Sequence, residues 1–307
     1  MTPADRPLVV AAIGGNALLH RGQPPEIDIQ RANVRDAAAV LATLAEGHRL
    51  VITHGNGPQV GLLARQSEAL AGIAPVPFDV LAAESEGLIG YLLVEELSRH
   101  LGADRVSVVL TRVVVDGADP AFTHPTKPIG AVMDRTEAER LAAQHGWTIA
   151  ADGEHWRRVV ASPEPLEIVE HDAIDLLERA GQVVICAGGG GIPVRRGDDG
   201  VLAGVEAVID KDLTSALVAE RLTARDLLIL TDVDAVHEAW GTAQARPIRH
   251  ATPGQLRSQP WPSGSMGPKV EAACRFVERT GGVARIGALG DAAAVLRGDA
   301  GTVVSSR

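Results

Sequence analysis

The sequence predicts an α/β fold: a three-layer α/β/α sandwich around a mostly parallel central sheet. Three observations point there. Continuous apolar runs recur, among them Leu8-Val-Val-Ala-Ala-Ile13, Val183-Val-Ile-Cys-Ala187 and Leu227-Leu-Ile-Leu230. A strand that is apolar at every position is buried on both faces. Amphipathic stretches with helical spacing lie between these runs, and strand–loop–helix alternation marks a parallel sheet covered by helices. Several runs also end in polar, glycine-rich tips, where ligands of open parallel sheets bind.

Each element follows from local pattern. After the first strand, Gly14-Gly15-Asn16-Ala17-Leu18 gives a sharp turn with bare backbone amides. Asp28 to Glu46 is an amphipathic helix facing inward with Val34, Ala38, Leu41 and Leu44, and Gly47 stops it. Leu50-Val-Ile-Thr53 is a strand tipped by His54-Gly55-Asn56-Gly57-Pro58-Gln59. Helices are expected from about Val60 to Leu70 and Asp79 to Leu101, then a strand from Val106 to Leu110.

The alternation breaks near Val115. Turns at Asp119-Pro120, His124-Pro125, Lys127-Pro128, Asp152-Gly153 and Ser162-Pro163 frame one helix, Thr136 to His145, and strand-like pieces at Trp147–Ala150 and Trp156–Val160. Residues 116–165 are therefore expected to form a small protruding subdomain within a single domain spanning 1–307. Sheet pattern resumes at Val183, followed by Gly188 to Gly191 and a hairpin signal at Arg196-Gly-Asp-Asp-Gly200. Thr231-Asp232-Val233-Asp234 tips a later strand, and Gly264-Ser-Met-Gly-Pro-Lys269 precedes a helix from Val270 to Thr280.

The stretch Gly204-Val-Glu-Ala-Val-Ile-Asp-Lys-Asp-Leu-Thr-Ser215 concentrates the chemistry. It predicts a short apolar segment, a turn holding Asp210, Lys211 and Asp212, and then a helix, with Asp212 as its N-cap. A lysine beside a carboxylate at open helix amides suits a phosphate and its metal ion. Of 29 Lys plus Arg, only Lys127, Lys211 and Lys269 are lysines. A lysine is a compact point charge and an arginine a planar fork, so three lysines in an arginine-rich chain mark positions where Arg will not serve. All three stand beside Pro, Gly or Asp in turn-like stretches.

Bulk properties exclude several classes. A net charge of −10 argues against a nucleic-acid binder. No apolar run is long enough to span a membrane, and the polar start, Met1 to Arg6, carries no signal-peptide pattern. Cys186 and Cys274, both in apolar stretches, are expected to be reduced core thiols of a cytoplasmic protein. The lysines follow Thr126, Asp210 and Pro268, so no Walker loop is present. The dinucleotide fingerprint G-x-G-x-x-G, zinc-ligand spacings and a Ser nucleophile elbow are absent too. What remains is phosphoryl transfer without a Walker loop, a reaction that needs positioning and positive charge more than covalent help.

The motifs taken together resemble the carbamate kinase family of the amino acid kinase superfamily. They are Gly14-Gly-Asn-Ala-Leu18, His54-Gly-Asn-Gly-Pro-Gln-Val-Gly61, Pro125-Thr-Lys-Pro-Ile-Gly130, Gly188-Gly-Gly-Gly-Ile-Pro193, Gly204-Val-Glu-Ala-Val-Ile-Asp-Lys-Asp212 and Gly264-Ser-Met-Gly-Pro-Lys269, with Trp156-Arg-Arg-Val-Val160 and Ser162-Pro163. The resemblance runs from about Val9 to Val304. It implies a roughly eight-stranded sheet, a homodimer, and reversible transfer between ATP and carbamate giving ADP and carbamoyl phosphate. Mg²⁺ would be carried by the nucleotide, with no protein metal ligand assigned. It also implies use in making ATP during arginine or related nitrogen breakdown. By motif, Lys211 and Lys269 would contact the transferring phosphoryl group and the nucleotide phosphates, Lys127 would reach in from the subdomain, and Asp210 would orient the lysines. Gly14, Gly15, Asn16, Gly55, Asn56, Gly57, Gly189 and Gly190 would bind carbamate and phosphoryl oxygens. Thr231, Asp232, Val233 and Met266 would lie along the nucleotide.

The chain departs from the family pattern at Ser85-Glu86-Gly87, where Thr-Gln-Gly is usual, and at Gly267, where a larger apolar residue is common. Two other readings stand beside this one: another kinase that forms an acyl phosphate on an amino acid, and a non-catalytic nucleotide- or anion-binding protein of the same fold.

Overall fold

The structure, a computed structural model, describes residues 5–307 apart from 16, 17, 21, 71 and 263. The chain begins with strand β1 (Leu8–Ile13), helix α1 (Ile27–Leu44), β2 (Arg49–His54), α2 (Gly57–Glu68) and α3 (Phe78–Leu101). Then come β3 (Val106–Val109), β4 (Arg112–Val114), β5 (Lys127–Met133), α4 (Arg135–His145), β6 (Thr148–Asp152), β7 (His155–Val160) and β8 (Glu167–Ile168). Next are α5 (His171–Arg179), β9 (Val183–Cys186), β10 (Ile192–Arg196), β11 (Leu202–Gly204), α6 (Lys211–Arg221) and β12 (Asp226–Thr231). The last third adds β13 (His237–Glu238), β14 (Arg246–Pro247), β15 (His250–Ala251), α7 (Pro253–Arg257), α8 (Met266–Thr280), β16 (Val283–Ala288), α9 (Ala292–Arg297) and β17 (Thr302–Val304).

The central sheet has eight strands in the order β15-β17-β16-β12-β1-β2-β9-β3. The pairs from β16 through β3 are parallel, and only β16 against β17 is antiparallel. The mostly parallel α/β/α architecture expected from the sequence is therefore present. Alternation along β1 shows how the layers form. Leu8 and Val10 join the apolar cluster that takes in Leu217 of α6 and Val270, Ala273 and Phe276 of α8. Val9, Ala11 and Ile13 join the opposite cluster, with Val34 and Leu41 of α1, Ile89 and Leu93 of α3 and Val295 of α9. All six residues of β1 are buried, which is why its run had to be apolar throughout.

A separate three-stranded antiparallel sheet, β5-β7-β6, is covered by α4. Here the sequence expectation needs correcting. Lys127-Pro128 is no turn: it opens β5, where Lys127 pairs with Val160 and Pro128 with Val159 of β7. A proline is tolerated in this small sheet because β5 is its edge strand.

Candidate active site

The strand tips close into one ring of backbone contacts. The Gly14 amide donates to the Leu230 carbonyl at 2.9 Å, joining the tips of β1 and β12. A Cβ on Gly55 would come within 2.7 Å of the Gly15 nitrogen, so these two glycines touch. Asn56, buried, lies against Gly189, where a Cβ would meet its Nδ2 at 2.0 Å. Gly190 packs on the Ile209 carbonyl, immediately before Asp210. Gly189 and Gly190 also have φ of +67° and +98°, which only glycine adopts without strain. Gly57 opens α2 beside them. Asn16, expected in this ring, lies outside the described residues.

The lysines meet at the same place. Asp210, not Asp212, is the N-cap of α6, and its Oδ1 accepts from the amides of Asp212 and Leu213 at 2.9 and 3.3 Å. Asp210 has extended backbone angles and Asp212 is already helical, so only Asp210 can cap. The other oxygen of Asp210 accepts from Lys127 Nζ at 2.5 Å. Asp212 is thereby left free to take two lysines. Lys211 Nζ donates to its Oδ1 at 2.6 Å and Lys269 Nζ to its Oδ2 at 3.0 Å. Lys269 lies inside the first turn of α8, which starts at Met266, earlier than the sequence predicts.

Three cations thus surround two carboxylates. Burial works against the Asp212 carboxylate, but Lys211 and Lys269 outweigh it and hold its pKa well below the usual range. Burial lowers the pKa of Lys211, an effect that Asp212 opposes. Burial also opposes the charge of Lys269, yet Asp212 and then Asp210 and Asp232 keep its pKa raised. The three lysines, Asp210 and Asp212, with Asp232 acting on Lys269, thus form one preformed charge cluster.

Beneath the glycine turn lie two buried titratable groups. His54 is fully buried, its pKa is pushed down to about 4 by burial and by Lys211, and its Nδ1 lies 3.2 Å from the Gly55 carbonyl. Glu86 is fully buried on α3 and receives the Gly188 and Thr111 amides at 2.8 and 3.1 Å. Ser85 accepts from Asn56 Nδ2 at 2.8 Å. The stretch that departs from the family pattern therefore supports the glycine ring through Asn56 and Gly188.

Of the expected nucleotide residues, Thr231 ends β12 and donates to Asp232 at 3.0 Å, and Val233 follows half-buried. Met266 packs partly buried against the apolar cluster under α8. Among the described residues, no group of three or more His, Cys, Asp or Glu side chains is arranged to hold a metal ion.

Residues 7–287 match the model of the amino acid kinase family. The carbamate kinase of Rhizobium meliloti is 52% identical over 97% of this chain and 93% of its own length. That of Escherichia coli K12 is 52% identical over 97% of this chain and 99% of its own. A solved carbamate kinase from Giardia lamblia, bound to citric acid, superposes with a TM-score of 0.92 at 38% identity, covering 98% of this chain and 99% of that one. The chain belongs to the carbamate kinases of the amino acid kinase family. It is a phosphotransferase of that fold.

Two residues at the site escaped the sequence reading in their actual roles. The sequence suggests Asp212 as a cap, and the only available signal for its other role is its place beside Lys211 and two positions from Asp210. In the sequence Glu86 stands out solely as a departure, since its partners lie 25 and 102 positions away.

Proposed function

We propose that this chain catalyses reversible phosphoryl transfer between ATP and carbamate. A carbamate oxygen attacks the γ-phosphorus, the bond to the β,γ-bridging oxygen breaks, and its electron pair leaves with ADP. Carbamate is already an anion and a nucleophile, so no strong general base is needed. This agrees with a site whose nearest histidine, His54, is neutral and buried.

The observation that carries the reading is the convergence of Lys127, Lys211 and Lys269 on Asp210 and Asp212 beside the glycine ring. The migrating phosphoryl group spreads its charge over three oxygens, and prearranged cations stabilise that charge at little reorganisation cost. In this account Lys211 and Lys269 hold the phosphates, and Lys127 reaches in from a subdomain spanning about 116–165. Asp210 sets the direction of Lys127, and Asp212 that of the other two. The amides of Gly14, Gly15, Gly55, Gly57, Gly189 and Gly190, with Asn16 and Asn56, receive carbamate and phosphoryl oxygens. Thr231, Asp232, Val233 and Met266 line the nucleotide. A Giardia lamblia carbamate kinase at 38% identity binds AMP-PNP, which supports a nucleotide as a ligand of this chain.

Mg²⁺ fits as an ion carried in on the nucleotide. Magnesium is commonly bound by one or two carboxylates plus substrate phosphates. Asp232, exposed at the tip of β12 with its charge acting on Lys269, is the carboxylate that would face it. Once bound, the ion would neutralise charge on the β- and γ-oxygens.

We also read the chain as a cytoplasmic homodimer. Cys186 and Cys274 are free and buried, with thiol pKa values raised by burial, as suits a reducing compartment. No helix among the described residues is long and apolar enough to cross a membrane. Strand β3 is the edge of the central sheet, and its Val108 and the following Leu110 are 39% and 49% exposed. Exposed apolar side chains along a sheet edge suit a second copy of the chain. Carbamoyl phosphate is an acyl phosphate and a stronger donor than ATP, which favours ATP synthesis in arginine or related nitrogen catabolism.

The test is ATP formation from ADP, Mg²⁺ and carbamoyl phosphate, with acetyl phosphate as comparison donor. Fast turnover with carbamoyl phosphate alone is expected. Turnover only with another acyl phosphate, or ADP binding without turnover, would overturn the substrate or the activity respectively.

A further inference from the structure

Gly61 lies in the second turn of α2, one turn beyond the amides that open the anion ring. A Cβ there would fall 2.3 Å from Gly130 Cα and 2.6 Å from Gly130 N, far inside contact distance. Helix and strand thus meet backbone on backbone. Gly130 belongs to β5, three residues after Lys127, at the irregularity in its pairing with β7 between Ile129 and Met133. Its φ is +68°, and its carbonyl accepts from Arg157 Nη2 at 2.8 Å. At the other end, the small sheet is tied to the main body where the Val208 amide donates to the Ala161 carbonyl at 2.9 Å, two residues before Asp210.

We propose that Gly61 and Gly130 form the joint that sets the reach of Lys127, and so act as positioning residues for phosphoryl transfer. The inference rests on the reading of Lys127 as a phosphoryl contact. Helix α2 carries the anion amides at its start and the joint one turn later. Through this contact a single rigid helix fixes both the cradle and the strand that delivers Lys127. A side chain at position 61 would force β5 outward by on the order of 1 Å, and a displacement of that size in catalytic geometry costs about a hundredfold. A cleft of about 350 Å³ already separates α2 from the small sheet beside this contact, lined by Ala64, Met133, Leu141 and Trp147 among others, and an outward shift of β5 would widen it.

The test is Gly61→Ala, a substitution that favours helix formation and so should fold. Turnover should fall at least tenfold while ADP affinity stays within twofold. Combined with Lys127→Ala, it should slow the enzyme no further than Lys127→Ala alone. Arg157→Ala, which releases the Gly130 carbonyl without adding atoms, should lower turnover at least threefold with the same non-additivity. It carries the test if Gly61→Ala does not fold. Turnover within twofold of the native chain, or effects that multiply with Lys127→Ala, would overturn the joint. Near-native turnover of Lys127→Ala by itself would instead strike down the underlying role of Lys127, and that result is read without any change at Gly61.

Discussion

Lys127 and Asp210, 83 positions apart in sequence, meet at 2.5 Å between the start of β5 and the N-cap of α6. One carboxylate thereby does two jobs. Oδ1 closes the helix amides and Oδ2 aims the lysine. Its neighbour Asp212 has a single job, holding Lys211 and Lys269.

That division predicts a contrast. Asn caps helices as well as Asp does. Asp210→Asn should therefore leave thermal stability nearly unchanged while turnover drops through the loss of Lys127 alignment. Asp212→Asn removes the charge from a buried pair and leaves two lysines facing each other. Breaking such a pair costs roughly 3–5 kcal/mol. Urea unfolding of both variants checks this, and equal stabilities would contradict it.

The pH dependence of stability should depend on Glu86. Burial, set against its two amide hydrogen bonds, pushes its pKa up from 4.5 to about 8. The folded value lies above the unfolded one, so folding takes up a proton between them. The stabilisation of the protonated form is complete below about pH 4.5 and is lost as pH rises through about 8. Glu86→Gln cannot ionise. Its melting temperature relative to the native chain should rise from pH 5.5 to pH 8.5. Parallel pH profiles for the two proteins would rule out this carboxyl as the source.

The β3 edge makes a prediction about assembly. Leu110→Asp places a charge at the end of the β3 edge, where Val108 and Leu110 are both exposed. Analytical ultracentrifugation should show a dimer for the native chain and a weakened one for the variant. A native monomer at micromolar concentration would contradict the dimer.

How much was legible in the sequence depended on where each residue found its partners. The strand Leu8–Ile13 was plain because burial on both faces demands an apolar residue at every position. The lysines stood out because they interrupt an arginine-rich chain. Strand β5 was not legible: Pro128 and Gly130 signal a turn locally, and only pairing with β7 makes them a strand. The two aspartates beside Lys211 are chemically alike, so the choice of cap waited on the point where helical angles begin. Glu86 in an apolar helix gave no hint of the distant Thr111 and Gly188 amides that explain it.

The most direct test of the central claim is the turnover of Lys211→Ala in ATP formation from carbamoyl phosphate, with ADP binding measured in parallel. A unit charge about 4 Å from the phosphoryl group is worth on the order of 4 kcal/mol at an effective dielectric of about 20. The account predicts that turnover falls by roughly a thousandfold in a folded, ADP-binding protein. Turnover within a few fold of the native chain would contradict it, and the lysine–aspartate cluster would no longer be the seat of the chemistry.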